Sequence, residues 1–352
     1  MREVLYIDTI ACFGHVNLNK NYLQQFRNCG FKISVISQLS YLKSLELLEG
    51  EKLLALPDSY FTYTGAIINR ILEIKKLRFI KKNVVFDKYD VVFFSYFDEI
   101  ALYFVQMQGN LIFMCHNNVS GLKNMFKLFF LKNISKRGDI LVFNELIKNQ
   151  FIKYGISNII VEPLGLSPPY KTSQSNRILL ENLDFRLVDE YFSLGIFIPE
   201  FSKYGDNFLL NSLLNDSFLK YLSQKKILLV IKAESPSFHH PNICWLPKFL
   251  NDEIYRAVFI ETDILLLSYP SSFEFKVSAV LFECFSNNKP CLLSDIPSFQ
   301  VYRENLNFNL YYNSIEELIE LLDFILIKKH DILNNPYKNT SFLNPTLKKL
   351  CN

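Results

Sequence analysis

The chain carries little net charge: 38 Lys and Arg against 35 Asp and Glu leave +3 at neutral pH. A general nucleic-acid binder needs a basic excess to displace counterions, so nucleic acid is not an expected partner. No stretch approaches the ~20 apolar residues that spanning a bilayer requires. The opening MREVLYIDTIACFGHVNLNK lacks a charged leader, an apolar run and a small-residue cleavage site in succession. It reads as a first strand, and the expected compartment is the cytoplasm. Cysteine is sparse: Cys12, Cys29, Cys115, Cys244, Cys284, Cys291 and Cys351 are odd in number and form no CxxC. They read as reduced core residues, not as a disulfide frame or a zinc site. With no HExxH and no Cys/His cluster, no metal is expected. A Walker loop and a GxGxxG are absent too, which argues against an NTPase and against a dehydrogenase.

What is present is apolar bulk. Hydrophobic residues make up 49% of the 352, with 33 Phe and 19 Tyr, enough to bury two cores. The length suits two domains of ordinary size. Short apolar strands alternate with helical stretches in both halves, the pattern of parallel sheets covered by helices. Strands are expected at Glu3–Ile7, Lys32–Ile36, Val91–Phe94, Leu111–Met114, Ile140–Phe143 and Asn158–Val161. The first helix should run from about Asn17 to Cys29 and stop at Gly30. The second half repeats the theme at Tyr191–Phe197, Ile227–Ile231, Ile243–Leu246, Ile264–Tyr269 and Cys291–Leu293. Between them, Leu164 to Asn176 holds Gly165, Pro168, Pro169 and several Ser and Thr, the composition of a hinge. The expected fold is α/β, two Rossmann-like domains facing a central cleft. The expected division is 1–168, a linker at 169–188, 189–330, and a tail at 331–352 that crosses back. Ligands of open α/β sheets sit outside the C-terminal strand ends, so the polar residues after each strand matter most.

The most informative segment is DILLLSYPSSFEFKVSAVLFECFSNNKPCLLSDIPSF, Asp263 to Phe299. It reads strand, loop, helix, strand, with the helix from about Val277 to Asn287. Val277, Val280, Leu281, Cys284 and Phe285 make one apolar stripe at helical spacing. Glu283 lies about 130° from its middle, on the free face with Ala279 and Ser286. Small residues at the helix start, Ser278 and Ala279, let a phosphate approach free backbone N–H groups at the positive end of the helix dipole. A carboxylate one turn on can accept hydrogen bonds from both hydroxyls of a ribose. The same spacing also fits an ordinary amphipathic helix with an exposed glutamate.

This segment resembles the donor-binding motif of GT-B-fold glycosyltransferases, especially the bacterial enzymes that build O-antigen and capsular polysaccharide. The matching elements are Tyr269-Pro270-Ser271, Ser278-Ala279-Val280, Glu283 and Lys289-Pro290. The resemblance implies backbone contacts from Ser278, Ala279 and Val280 to a diphosphate, and Glu283 on the ribose. One retaining group of that family has two glutamates with seven residues between them, the first followed by Gly. Here eight residues separate Glu274 from Glu283, Phe275 follows Glu274, and Asn288 stands where Gly is usual. A contact of Glu274 with the transferred sugar is accordingly the weaker assignment.

Other positions follow the same logic. Lys232 ends the strand ILLVI, where the resemblance suggests a basic residue that neutralises the leaving diphosphate; it also fits a solvated strand terminus. The next strand ends in Trp245-Leu246-Pro247, where related enzymes hold the nucleobase by main-chain groups, which puts Leu246 in the site; Trp245 also fits the core. In the first half, Gly14 permits close backbone approach to a ligand. His15 and His116 follow strands and can take a proton from an attacking hydroxyl or orient a substrate. Asp98 and Asn144 occupy similar places. No Asp-x-Asp manganese clamp of the other major glycosyltransferase fold is present, so metal-independent transfer is expected, with no cofactor beyond the nucleotide-sugar donor. Ile71–Lys82 and Leu122–Arg137 are both basic and greasy. Such helices either lie on an anionic membrane or cover a core with their lysine stems.

The expected activity is transfer of a sugar from a nucleotide-sugar on 189–330 to a glycan acceptor, lipid-linked in this reading, on 1–168. Hinge closure would exclude water. A nucleotide-sugar epimerase and a non-catalytic glycan- or transferase-binding partner are the rivals.

Overall fold

The computed structural model describes residues 2–11, 15–62, 65–116, 118–171, 191–199, 215–233, 239–343 and 346–347. Gly14 and most of the expected linker, residues 172–188, lie outside them. The chain divides into two compact units. The first is Met1–Ser167 with Phe275–Val277 and Phe342–Asn352; the second is Pro168–Glu274 with Ser278–Ser341.

In the first unit β1 (Glu3–Ile7), β2 (Lys32–Gln38), β3 (Lys52–Leu56), β4 (Val91–Phe94), β5 (Leu111–Met114), β6 (Gly138–Val142) and β7 (Ile159–Val161) form one sheet, ordered β3-β2-β1-β4-β5-β6-β7. Every pairing is parallel; Ile7 of β1 lies opposite Ile36 on one side and Phe94 on the other. All four residues of β4 and of β5 are buried, as a strand covered on both faces requires. The helices are α1 (Val16–Asn28), α2 (Leu39–Ser44), α3 (Ala66–Asn83), α4 (Glu99–Val105), α5 (Met125–Ser135) and α6 (Glu145–Lys153). α1 buries Asn19, Tyr22, Leu23 and Phe26, one stripe at helical spacing, and stops where Gly30 takes φ +76°.

The second unit has β8 (Leu194–Ile198), β9 (Ile227–Ala233), β10 (Ile243–Pro247), β11 (Ile264–Leu267), β12 (Cys291–Ser294) and β13 (Tyr311–Tyr312), again all parallel, ordered β10-β9-β8-β11-β12-β13. Its helices are α7 (Asp216–Lys225), α8 (Asp252–Glu261), α9 (Ala279–Ser286), α10 (Pro297–Gln300), α11 (Ile315–Ile327) and α12 (Lys329–Asn334). Counted within each unit, the first six strands run 3-2-1-4-5-6 in both sheets. That is the doubly wound order, with its ligand crevice where the order reverses, between the first and fourth strands.

Three expectations need correction. The edge strands β3 and β13 were not foreseen: β3 is mostly exposed and β13 has two residues, so neither makes a long apolar run. Cys29 is disulfide-bonded, not reduced. Cys115, Cys244, Cys284 and Cys291 are free thiols. Among the described residues no helix is long and apolar enough to cross a membrane.

Candidate functional site

The second unit gathers its polar side chains around α9. Ser278 is the cap of that helix: its Oγ accepts from Leu281 N at 3.2 Å and lies 3.3 Å from the Tyr269 hydroxyl. The cap satisfies one of the first-turn amides. Ala279 is exposed and Val280 half-buried, and no described hydrogen bond engages their N–H groups. The helix thus begins two residues later than its apolar spacing suggests. Val277 precedes the cap, and Phe282 takes its place among the buried residues Leu281, Cys284 and Phe285.

Glu283 is not on a free face. It is half-buried, and the Tyr255 hydroxyl from α8 donates to its Oε2 at 2.8 Å. The Tyr170 hydroxyl also bonds the carboxylate, while the Tyr170 amide donates to Asn287 Oδ1 at 2.6 Å. Burial pushes the Glu283 carboxyl above the usual carboxylate range, although both tyrosines and Lys232 favour its charged form. Phe259 meets the Tyr170 ring edge-on at 5.2 Å and the Tyr255 ring tilted at 6.3 Å, and Phe197 packs against Tyr255 at 5.7 Å. Sequence reasoning missed both tyrosines.

Lys232 lies near the C-terminal end of β9, half-buried, with Nζ 5.5 Å from the Tyr255 ring centre. Leu246 is its partner on β10, so the two candidates share one sheet register. The Leu246 side chain is buried, leaving its main chain to do any recognition, and Trp245 packs against the second core. Glu274 follows the short turn Ser271–Phe273 and is half-buried, and no described bond ties it to Glu283. Lys289 serves structure: its ammonium donates to the carbonyls of Ile260 and Thr262 at the end of α8. Asn288 has φ +49°, so the position where Gly is usual does need a left-handed residue, and Asn is a side chain that tolerates it.

In the first unit the structure brings His15 and His116 together. Their rings stack with centres 4.6 Å apart and planes 6° from parallel. His116 Nε2 lies 2.7 Å from the Ser95 carbonyl, so that nitrogen carries the hydrogen and Nδ1 is the acceptor. Burial, with His15 alongside, pulls the His116 pKa down to about 3. A group so weakly basic is a poor proton acceptor at neutral pH, and His116 suits an orienting role better than that of base. Asp98 caps α4 through Ile100 N and Ala101 N, and Arg70 Nε reaches both its oxygens at 3.1 and 3.2 Å. Asn144 caps α6 through Ile147 N at 2.9 Å, while its Nδ2 is buried without a partner. Among the described residues no three His, Cys, Asp or Glu side chains stand close enough to hold a metal ion.

No protein-family model matches the chain, and no curated protein matches it in sequence. Solved structures do match in fold. Anabaena HepE in complex with UDP-glucose superposes with a TM-score of 0.62 at 13% identity, covering 99% of this chain and 94% of its own. The trehalose-6-phosphate synthase OtsA gives 0.63 at 11% identity, covering 100% and 96%. A UDP-GlcNAc 2-epimerase from Neisseria meningitidis gives 0.54 at 11%, covering 99% and 98%. The chain therefore has the α/β fold of the GT-B glycosyltransferases over its whole length.

Proposed function

We propose that the chain is a glycosyltransferase that takes a nucleoside-diphosphate sugar on its second unit and passes the sugar to a glycan acceptor. The observation that carries this reading is the pairing of open α9 amides at Ala279 and Val280 with the Glu283 carboxylate one turn on, about 6 Å along the helix. Diphosphate at the first and ribose at the second fit that spacing. Lys232, next to Tyr255, supplies a cation for the charge that builds on the leaving diphosphate. No metal takes part in this scheme: amides and an ammonium carry the charge. Fold neighbours crystallised with UDP-glucose, and with UDP and glucose, support the assignment.

The acceptor in this reading is lipid-linked, the process is bacterial surface-polysaccharide synthesis, and the protein works at the cytoplasmic face of an anionic membrane. Phe104, Met125, Phe126 and Phe129 are all more than half exposed, at 59, 88, 65 and 52%. The three phenylalanines pack on Phe130, whose ring centre is 6.3 Å from that of Phe104, 4.7 Å from that of Phe126 and 5.4 Å from that of Phe129. Residues 122–137 add five basic side chains and no acidic one. An apolar patch rimmed by cations suits an anionic lipid surface.

The test is calorimetric titration with UDP and other nucleoside diphosphates, followed by assay of nucleotide release from sugar donors with saccharide acceptors. Binding of a nucleoside diphosphate and acceptor-dependent release support the reading; absence of any nucleotide binding rejects it. The epimerase neighbours favour one rival. Epimerised nucleotide-sugar accumulating without an acceptor would decide for it.

A further inference from the structure

Several acids of the second unit are held by cations: Asp263 by Lys329, Asp295 by Arg303 and Asp323 by Lys225. Glu283 is held by hydroxyls instead. Tyr255 donates to its Oε2 at 2.8 Å, and the Tyr170 hydroxyl bonds the same carboxylate. A salt bridge would cancel the charge, whereas a hydroxyl directs it and leaves it in place. A carboxylate offers about four acceptor sites, so two tyrosines leave two, the number that the diol of a ribose fills.

The tyrosines are themselves fixed. The Tyr170 amide donates to Asn287 Oδ1 at 2.6 Å, and Asn287 Nδ2 donates to the Glu283 carbonyl at 2.8 Å. The end of α9 thus grips Tyr170 by its main chain and takes its hydroxyl on the Glu283 side chain. The Tyr170 ring meets Phe259 edge-on, and the Arg256 guanidinium lies 5.1 Å from its centre. Asp252 in turn holds that guanidinium at 2.6 Å. Tyr255 packs on Phe197 and Phe259, with Lys232 Nζ near its ring. Satisfying a buried acceptor requires one donor and no such framework. Two rings locked by their own neighbours deliver two hydroxyls to one point, which is what support for a binding group demands.

We infer that Tyr170 and Tyr255 are positioning residues for nucleotide binding: their hydroxyls aim the Glu283 carboxylate and leave it two acceptor sites for a ribose diol. This role rests on the transferase reading. The other groups facing the carboxylate are Asp252 on α8, Lys232 on β9 and Cys284 on α9, with Arg256 acting on Tyr170. Burial and Asp252 oppose ionisation, while the two hydroxyls and Lys232 favour it. A ribose donates to the ionised form, so losing a tyrosine hydroxyl should hurt most at low pH, where protonation competes.

The experiment titrates UDP, ADP, GDP and CDP calorimetrically into the wild-type chain and keeps the tightest binder as probe. That probe is then titrated from pH 5.5 to 8.5 into Tyr170→Phe, Tyr255→Phe, Glu283→Gln and the two Tyr/Glu double variants. Either phenylalanine should weaken binding about tenfold at pH 5.5, with the deficit narrowing as pH rises. In the Glu283→Gln background the pH-dependent part of that deficit should vanish. Each single variant removes one hydroxyl, thermal melts report its folding, and either one carries the test if the other unfolds. A deficit equal at every pH, one that keeps its pH dependence without Glu283, or binding like wild type would overturn the positioning role and leave the transferase reading in place. A wild-type chain that binds none of the four nucleotides rejects that reading, and this role with it.

Discussion

Replacing Glu283 by Gln separates the two things that carboxylate does. Folded, Glu283 holds its proton more tightly than its ordinary value of 4.5 implies, because burial outweighs the hydroxyls of Tyr255 and Tyr170. A raised carboxyl pKa contributes stability below about pH 4.5, and that contribution is lost as pH rises through the folded value. Burial therefore disfavours the charged form of this carboxyl in the folded chain. Gln keeps the shape and still accepts from Tyr255, but never ionises. Each tenfold difference in proton affinity between folded and unfolded chain corresponds to about 1.4 kcal/mol, and each kcal/mol to about 2–4 °C in Tm for a unit of this size. Glu283→Gln should accordingly unfold higher than wild type at neutral pH, with the gap closing as pH falls towards 4.5. Nucleotide binding should move the other way. One ribose hydroxyl loses a charged acceptor, worth about 1.5–3 kcal/mol, so Kd for UDP should rise about 10- to 100-fold. Differential scanning calorimetry at both pH values and isothermal titration supply the readouts. A variant that melts below wild type at pH 7 yet binds UDP equally well would refute both halves of the reasoning.

Three further outcomes are expected. His116 is neutral when folded, down to about pH 3, but protonates near 6.5 when unfolded; stability should fall as pH drops from 6.5 towards 3, and His116→Phe should flatten that slope in urea titrations. Lys76→Met strands the buried Glu73 carboxylate and should cost about 3–5 kcal/mol, most of it recovered in the Glu73→Leu/Lys76→Met pair, as read by chemical denaturation. Phe126→Ser with Phe129→Ser should reduce co-sedimentation with vesicles containing phosphatidylglycerol at least tenfold. Equal recovery with phosphatidylcholine vesicles would remove the membrane assignment.

Which parts were readable from sequence follows from where the determinants lie. β1, β4 and β5 match their expected spans because a strand covered on both faces must be apolar throughout, and turn residues bound it. β3 escapes because an exposed edge strand needs no such run. On α9 the spacing admits Val277, but the Ser278 cap sets the start, and capping competes with periodicity over a few residues. Glu283 was identifiable by its place one turn into the helix. Its restraint by Tyr255 and Tyr170 was not, since those residues approach from 28 positions away and farther. The Arg70–Asp98 pairing, also 28 residues apart, escaped for the same reason. Within Ile71–Lys82, the amphipathic reading did not separate Lys76, which is buried in an ion pair, from Lys75 and Arg78, which are exposed.

Helix α4 packs between α3 and α5, so two strongly cationic stretches flank one short helix. α3 holds six basic residues against one acidic, and residues 122–137 hold five against none. The chain totals only +3, so everything outside these two stretches sums to an anionic remainder. A bulk titration would report a nearly balanced molecule, whereas a charged resin responds to local fields. At neutral pH and low salt, retention on a sulfonate column should exceed what the formal charge implies, and neutralising lysines in 122–137 should shorten it more than neutralising the same number elsewhere.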